Sequence, residues 1–252
     1  MSESDRSINL GQAYPHRRST RLVEGCAKAF NAKVEDPDIR RWSGAITLAK
    51  ALDTLVDDDH VYDSGIYMDR LLTDGTLPYA TPAESEFMRD AYYSLSEASQ
   101  ERWRNSGTQL GSFAIRRLEA KTVDDYAAIV LEESYLMSDM LLIENDETRQ
   151  DHRERDDFNT WVRQLARTAF ICDTISDFIR DYNEDNVSIQ PTPKATVTLG
   201  RYALKELAAF TRITPMPVYV ALARRSATKV AEKIRQPGFL SRQFHRKVIE
   251  GK

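Results

Sequence analysis

The segment CDTISDFIRDYNEDN (172–186) places an aspartate at every fourth position, at Asp173, Asp177, Asp181 and Asp185. A step of four residues along an α-helix advances about 6 Å and turns by only about 40°, so neighbouring carboxylates in this series share a face. Like charges at this spacing destabilise a helix by a few tenths of a kcal/mol per pair. A cation held between the carboxylates would reverse the sign of that interaction.

A second acidic segment, LAKALDTLVDDD (48–59), carries Asp53, Asp57 and Asp58 on a helical apolar pattern. Mg²⁺ prefers oxygen ligands and is often held by one or two carboxylates together with substrate phosphates. Two such helices facing each other predict a Mg²⁺–diphosphate site. The alternative is that both segments are solvated helix faces, but their apolar neighbours make uncompensated acid costly there.

Composition narrows the class of protein. The 252 residues include 39 acidic and 35 basic side chains, and this balance argues against a nucleic-acid partner. No stretch approaches the ~20 apolar residues of a membrane span, and residues 1–19 lack the apolar core of a secretory signal. The two cysteines lie far apart, which argues against a disulfide framework or a zinc site. We therefore expect a soluble cytoplasmic protein.

The low content of turn-forming residues, 10 glycines and 9 prolines, predicts an all-α fold. We expect one helical domain over 21–240, a polar segment over 1–20 and a basic tail over 241–252. Thr122 is a predicted N-cap, and 186–198 is a predicted break. The apolar spacing predicts helices over 21–32, from residue 39 onward, and from the end of a loop at 73–84 up to residue 103. Further predicted helices cover 107–120, begin at 122, and cover 147–185, 199–211 and 217–236.

Both acidic segments resemble the aspartate-rich motifs of the squalene and phytoene synthases. LAKALDTLVDDD is similar to the first motif, close to R-A-L-D-T-x-E-D-D, and SDFIRDYNEDN (176–186) to the second, close to N-I-I-R-D-Y-x-E-D. DDYAAIV (124–130) resembles the family segment D-x-Y-C-x-x-V, and HRRS (16–19) resembles its H-S-[RK]-[ST] element. The last helix of the family resembles 218–239. The likeness therefore extends from about residue 16 to residue 239.

The resemblance implies a single-domain isoprenoid-synthase bundle around a central cavity, with Mg²⁺ as cofactor and a prenyl diphosphate as substrate. The matching positions of the family's motifs imply that Tyr126, Asp53 and Asp181 are catalytic. Tyr126 and Tyr135 are candidates for cation–π stabilisation of a carbocation, although tyrosines on apolar helices are often simply core. The implied diphosphate ligands are Lys50, Arg180, Arg18 and Ser19, and the implied metal ligands are Asp53, Asp57, Asp58, Asp177, Asp181 and Asp185.

The chain departs from the family pattern after Tyr126. Where the family has the small residues A-G-x-V-G, this chain reads VLEESY (130–135) and carries Glu132 and Glu133. We expect Glu132 and Tyr135 in the pocket, where a carboxylate would obstruct or alter one prenyl site. The alternative is that the helix turns one of the two glutamates toward solvent.

The expected activity is ionisation of a trans-prenyl diphosphate and coupling of the carbocation, as in the squalene and phytoene synthases. Alternatives are a terpene cyclase or a prenyltransferase to a non-prenyl acceptor. A non-catalytic assembly factor of the same superfamily, or a purely structural bundle, would belong to a different class. The basic run at 223–235 has two interpretations, a solvated face and a transient contact with an anionic membrane surface.

Overall fold

Side chains at the helix starts fix the boundaries of several elements. Thr122 accepts a hydrogen bond from the backbone N–H of Asp125, as its predicted N-cap role requires. Thr81 and Glu84 form a reciprocal capping box ahead of Pro82. The hydroxyl of Thr192 accepts a hydrogen bond from the backbone N–H of Ala195 and caps the next helix, whose first residue is Pro193.

The protein is described from a computed structural model, which covers residues 17–57, 64–74, 81–142, 152–218 and 220. Every regular element in these ranges is an α-helix, which confirms the all-α prediction. The helices are α1 (Arg17–Ala29), α2 (Asp36–Asp57), α3 (Ser64–Asp74), α4 (Pro82–Tyr93), α5 (Glu97–Glu119), α6 (Val123–Asp139), α7 (His152–Asn183) and α8 (Pro193–Ile213). None of them is both long and apolar enough to cross a bilayer.

Two boundaries differ from the sequence prediction. Helix α5 runs without a break through 103–107, and the chain turns instead at 94–96, where Ser96 caps the new helix. Gly107 does not end α5 but lies within it, where Met68 of α3 packs so closely that a Cβ atom would displace its side chain. Helix α8 begins at Pro193, which shortens the predicted break at 186–198.

The buried side chains form two clusters. The first joins α2 to α5 through Leu48, Met68, Met88 and Trp103. The second joins α5 to α8 through Phe113, Ile171, Phe178 and Leu199, among others. Each such side chain contributes about 1.5–3 kcal/mol by leaving water. The two clusters fix the helices that surround the cavity described below.

A buried ion pair holds α8 against α7. The carboxylate of Glu206 is almost fully buried and accepts two hydrogen bonds from Arg167, both of 2.9 Å, and one of 2.8 Å from Gln164. The guanidinium of Arg167 therefore lowers the pKa of Glu206 below its ordinary value, outweighing the opposing effect of burial. The paired geometry fixes the register of α8 on α7.

The chain divides into two compact units, Met1–Ile213 and Thr214–Lys252. Helices α1 to α8 all belong to the first unit. In the second unit the structure describes 214–218 and 220, which include a short helical segment. The basic run at 223–235 and most of the helix predicted over 217–236 lie outside the described residues. The predicted domain boundaries at 20 and 240 stay predictions.

Candidate functional site

A cavity of about 470 Å³ lies among α2, α5, α6 and α7. This volume falls within the range of about 300–1,000 Å³ that is typical of small-molecule sites. Its lining combines apolar side chains with charged groups from α5, α6 and α7. The lining residues are Ala49, Leu110, Arg117, Tyr126, Glu133, Met137, Ala169, Phe170, Asp173, Thr174, Asp177, Arg180, Asp181, Asn186 and Val187.

Helix α7 supplies an acidic wall of this cavity. Asp173, Asp177 and Asp181 follow one another at steps of four residues and all line it. Nη2 of Arg180 lies 3.1 Å from Oδ2 of Asp177 and 3.2 Å from Oδ1 of Asp181. The guanidinium thereby offsets the repulsion between two carboxylates that are only partly exposed, at 31% and 20%.

The charge of Arg180 is secured by these neighbours. Partial burial by itself lowers the pKa of Arg180, but the carboxylates of Asp177, Asp181 and Glu184 outweigh burial and raise it. The wall therefore presents a permanent cation between two oxygen donors. Such an arrangement can bind an anionic group through arginine and a divalent cation through the carboxylates.

Tyr126 lies against the same segment. The cap at Thr122 starts α6 one turn before Tyr126, which is 2% exposed and lines the cavity. Its ring stacks on Phe178, with the ring centroids 5.9 Å apart. The structure thus brings together Tyr126, Asp177, Arg180 and Asp181, four of the residues that sequence analysis selected.

A second charged pair lines the cavity, between α5 and α6. Nη1 of Arg117 lies 3.1 Å from Oε2 of Glu133, and the Glu133 side chain is only 2% exposed. A buried carboxylate is stable only when it is paired and hydrogen-bonded. Sequence analysis did not select Arg117, because its 16-residue separation from Glu133 becomes a contact only once α5 and α6 pack antiparallel.

The two predicted pocket residues on α6 lie elsewhere. Glu132 is exposed and forms two hydrogen bonds with Arg116, of 3.0 and 2.6 Å, which lower the pKa of its carboxyl group. Tyr135 is 45% exposed, and its ring lies 4.8 Å from the guanidinium carbon of Arg163. Successive helical residues are about 100° apart, so turning Glu133 into the cavity turns Glu132 away from it.

Asp185 is not among the residues that line the cavity, and its role as a metal ligand stays a prediction. Helix α7 ends at Asn183, and Asp185 is exposed in the left-handed region with φ of 58°. The N–H of Asp185 donates to the carbonyl of Tyr182, and the N–H of Asn186 donates to that of Asp181. This Schellman ending breaks the four-residue repeat and brings Asn186 to the cavity instead.

Helix α2 ends at Asp57, within the first acidic segment, and the aspartate side chains of this segment lie outside the described residues. Asp53 and Asp57 belong to the helical backbone, and Ala49, one turn before Asp53, lines the cavity. Lys50 is on α2, and Arg18 and Ser19 are on α1, but only their backbone is described. Asp58 lies outside the described residues, so its role remains a prediction.

The donors on α7 fit Mg²⁺ in chemistry. Asp177 and Asp181 offer carboxylate oxygens one helical turn apart, and Mg²⁺ is commonly held by one or two carboxylates plus phosphate and water. Across the described ranges, no three acidic, histidine or cysteine side chains come together as a metal-binding group. The two carboxylates of α7 are thus available to a Mg²⁺ ion, while Asp53, Asp57 and Asp58 stay predicted ligands.

Comparisons of this chain with protein-family models, with curated proteins and with solved structures find no match. The residues themselves and their arrangement around the cavity are therefore what indicate the function.

Proposed function

We propose that this protein is a Mg²⁺-dependent isoprenoid synthase of the squalene and phytoene synthase type, which ionises a trans-prenyl diphosphate and couples the carbocation. One observation carries the proposal: Asp177, Arg180 and Asp181 meet on the wall of a cavity whose lining also includes the buried Tyr126. Groups that can bind an anion and a cation, beside the apolar side chains of the same cavity, suit a diphosphate attached to a hydrocarbon chain.

Each residue of the wall has a part in this scheme. Arg180 binds and orients the diphosphate, because a guanidinium matches phosphate oxygens in two-pronged contacts. Asp177 and Asp181 would hold Mg²⁺ from α7, together with Asp53, Asp57 and Asp58 of the first acidic segment. Bound Mg²⁺ would supply Lewis-acid stabilisation to the departing diphosphate.

The other end of the substrate needs a dry, aromatic setting. Phe170, Met137 and Leu110 line the cavity and exclude water from the prenyl chain. The ring of Tyr126, backed by Phe178, offers an aromatic face to the carbocation. Exclusion of water protects the carbocation from capture as an alcohol.

The test is incubation of the purified chain with labelled geranyl, farnesyl and geranylgeranyl diphosphates, with Mg²⁺ or with EDTA. We expect Mg²⁺-dependent release of inorganic diphosphate and a hydrocarbon-bearing product in the mass spectrum. Loss of both in Asp53→Asn and Asp181→Asn variants supports the proposal. Absence of turnover and of Mg²⁺-dependent diphosphate binding in the folded protein would overturn it in favour of a non-catalytic role.

A second candidate is transfer of the prenyl group to a polar, non-prenyl acceptor. The buried pair of Arg117 and Glu133 favours it, because a purely hydrocarbon partner would leave these charged groups of the cavity without new hydrogen bonds. A mass-spectrometric screen in the presence of amine, hydroxyl and aromatic acceptors tests this candidate. A product that contains only prenyl carbons would contradict it.

A further inference from the structure

Helix α8 exposes a stripe of aliphatic side chains. Its core face packs Leu199, Ala203 and Phe210 against the bundle. Away from this face Leu204 is 68% exposed, Val197 56% and Leu207 43%. At 100° per residue the three lie within a sector of about 80°, and exposed aliphatic groups that lie together are more typical of an interaction site than single scattered ones.

A row of cations runs beside this stripe. The exposed basic residues of α8 are Lys194, Arg201, Lys205 and Arg212, at steps of seven, four and seven residues. At 100° per residue these steps keep them within a sector of about 40°, along roughly 27 Å of helix. The one acidic residue of α8, Glu206, is buried and paired with Arg167. Among the described residues none of the four cations makes a salt bridge, although the charge of Lys205 helps to lower the pKa of Glu206.

From this arrangement we infer that the outer face of α8 docks on the surface of an anionic lipid bilayer. The cations meet the negative headgroups, while Val197, Leu204 and Leu207 enter the boundary between headgroups and acyl chains, as in interfacial helices. The row of cations and the aliphatic stripe lie side by side on the outer half of α8, which suits a planar partner. An acidic protein surface would pair with the cations but would offer no apolar surface to the aliphatic stripe.

This inference is independent of the proposed catalytic activity, because no residue of the α8 face lines the cavity. The test is co-sedimentation of the full chain with vesicles of phosphatidylcholine alone or mixed with phosphatidylserine. We expect binding to the mixed vesicles that weakens as salt is raised, since salt screens exposed charges. Equal binding to both vesicles, or binding to neither, would overturn the inference.

Paired variants locate the contact. Lys194→Gln with Arg201→Gln removes two charges and is expected to weaken binding about 25-fold, at about fivefold per cation. The matched control, Arg40→Gln with Arg104→Gln, removes two exposed charges from α2 and α5 and is expected to bind like the wild type. If both double variants bind equally, α8 is not the contact and the inference fails.

The aliphatic stripe is tested separately with Leu204→Ser. We expect roughly tenfold weaker binding to the mixed vesicles, because a buried leucine contributes more than 1.4 kcal/mol, a factor of ten. Ile115→Ser, at another exposed aliphatic position on α5, is the control and is expected to have no effect. Circular dichroism verifies that each variant is folded. Retention of the chain on polyaspartate without vesicle binding would assign the face to an acidic protein and overturn the bilayer inference.

Discussion

The rings of Tyr126 and Phe178 stack at 5.9 Å between centroids, with their planes inclined by 20°. Both rings are 2% exposed, so the contact lies inside the second core cluster. Phe178 is the residue after Asp177 and three before Asp181. The stack therefore ties α6 to the middle of the acidic segment and sets the rotation of α7 that directs those carboxylates to the cavity.

Truncation of this contact is expected to destabilise the bundle. Phe178→Ala removes a buried ring and leaves a void, which costs about 3–5 kcal/mol of the free energy of unfolding. Ile179→Ala, at the adjacent 60%-exposed position, is the control and is expected to change it by less than about 1 kcal/mol. Urea denaturation followed by circular dichroism measures both. Equal midpoints for the two variants would contradict this account of the packing.

Two helical glycines are expected to respond in opposite ways to alanine. A Cβ at Gly44 would lie 2.8 Å from Cβ of Ala91 and 3.0 Å from the Trp103 ring, neither of which can yield without moving a helix. Gly44→Ala should cost about 1–3 kcal/mol through overpacking. A Cβ at Gly200 meets nothing within 4 Å, so Gly200→Ala should stabilise α8 by up to about 1 kcal/mol. Thermal unfolding that shifts in the same direction for both would refute the close contact of α2 with α4.

The ion pair between Glu206 and Arg167 should make stability depend on pH. The pKa of Glu206 is lower in the folded chain than in the unfolded one, so its stabilisation is complete above the unfolded value, about 4.3. It is lost as pH falls through the folded pKa. Glu206→Gln should therefore cost about 1.5–3 kcal/mol at pH 7 and progressively less below about pH 4.

The control for this pH experiment is Glu132→Gln. Glu132 also pairs with an arginine, Arg116, but the pair is exposed and is worth about 0–1 kcal/mol. Urea denaturation across the acid range measures both variants against the wild type. A loss of stability in Glu206→Gln that stays constant down to pH 3 would show that the ionised carboxylate is not responsible.

A comparison of Glu133 with Glu132 tests which of the two neighbouring glutamates acts in the cavity. Glu133→Gln removes the charge that Arg117 faces in the cavity, and we expect a changed distribution of products. Glu132→Gln makes the same chemical change on the exposed side and should leave the distribution as it is. Mass spectrometry of the products decides between them. If only Glu132→Gln changed the distribution of products, the assignment of Glu133 to the cavity would be wrong.

Local patterns predicted much of this architecture. The four-residue repeat placed Asp173, Asp177 and Asp181 on one face of α7, because helical geometry alone determines that outcome. The N-cap at Thr122 could also be predicted from the sequence, since its side-chain hydrogen bond joins residues only three positions apart.

Features that depend on the backbone turn after α7 or on tertiary packing could not be predicted from local sequence patterns. The repeat ends at Asp185 because the chain turns left-handed there, a conformation that aspartate tolerates and that no spacing rule indicates. The choice of Glu133 over Glu132 for the cavity depends on how α6 rotates against Arg117 of α5. Gly107 lies within α5 rather than at its end, and its missing side chain leaves room for Met68, a tertiary contact that the sequence does not indicate.

The most direct test of the central claim compares two aspartate-to-asparagine changes one helical turn apart. The rate of diphosphate release from a prenyl diphosphate with Mg²⁺ is measured for Asp181→Asn, on the cavity wall, and for Asp185→Asn, outside it. We expect Asp181→Asn to lose at least about a hundredfold, since metal-assisted charge stabilisation is worth several kcal/mol. Asp185→Asn should retain the wild-type rate, because asparagine also adopts the left-handed conformation. An active Asp181→Asn variant would contradict the claim that this wall holds the metal and the diphosphate.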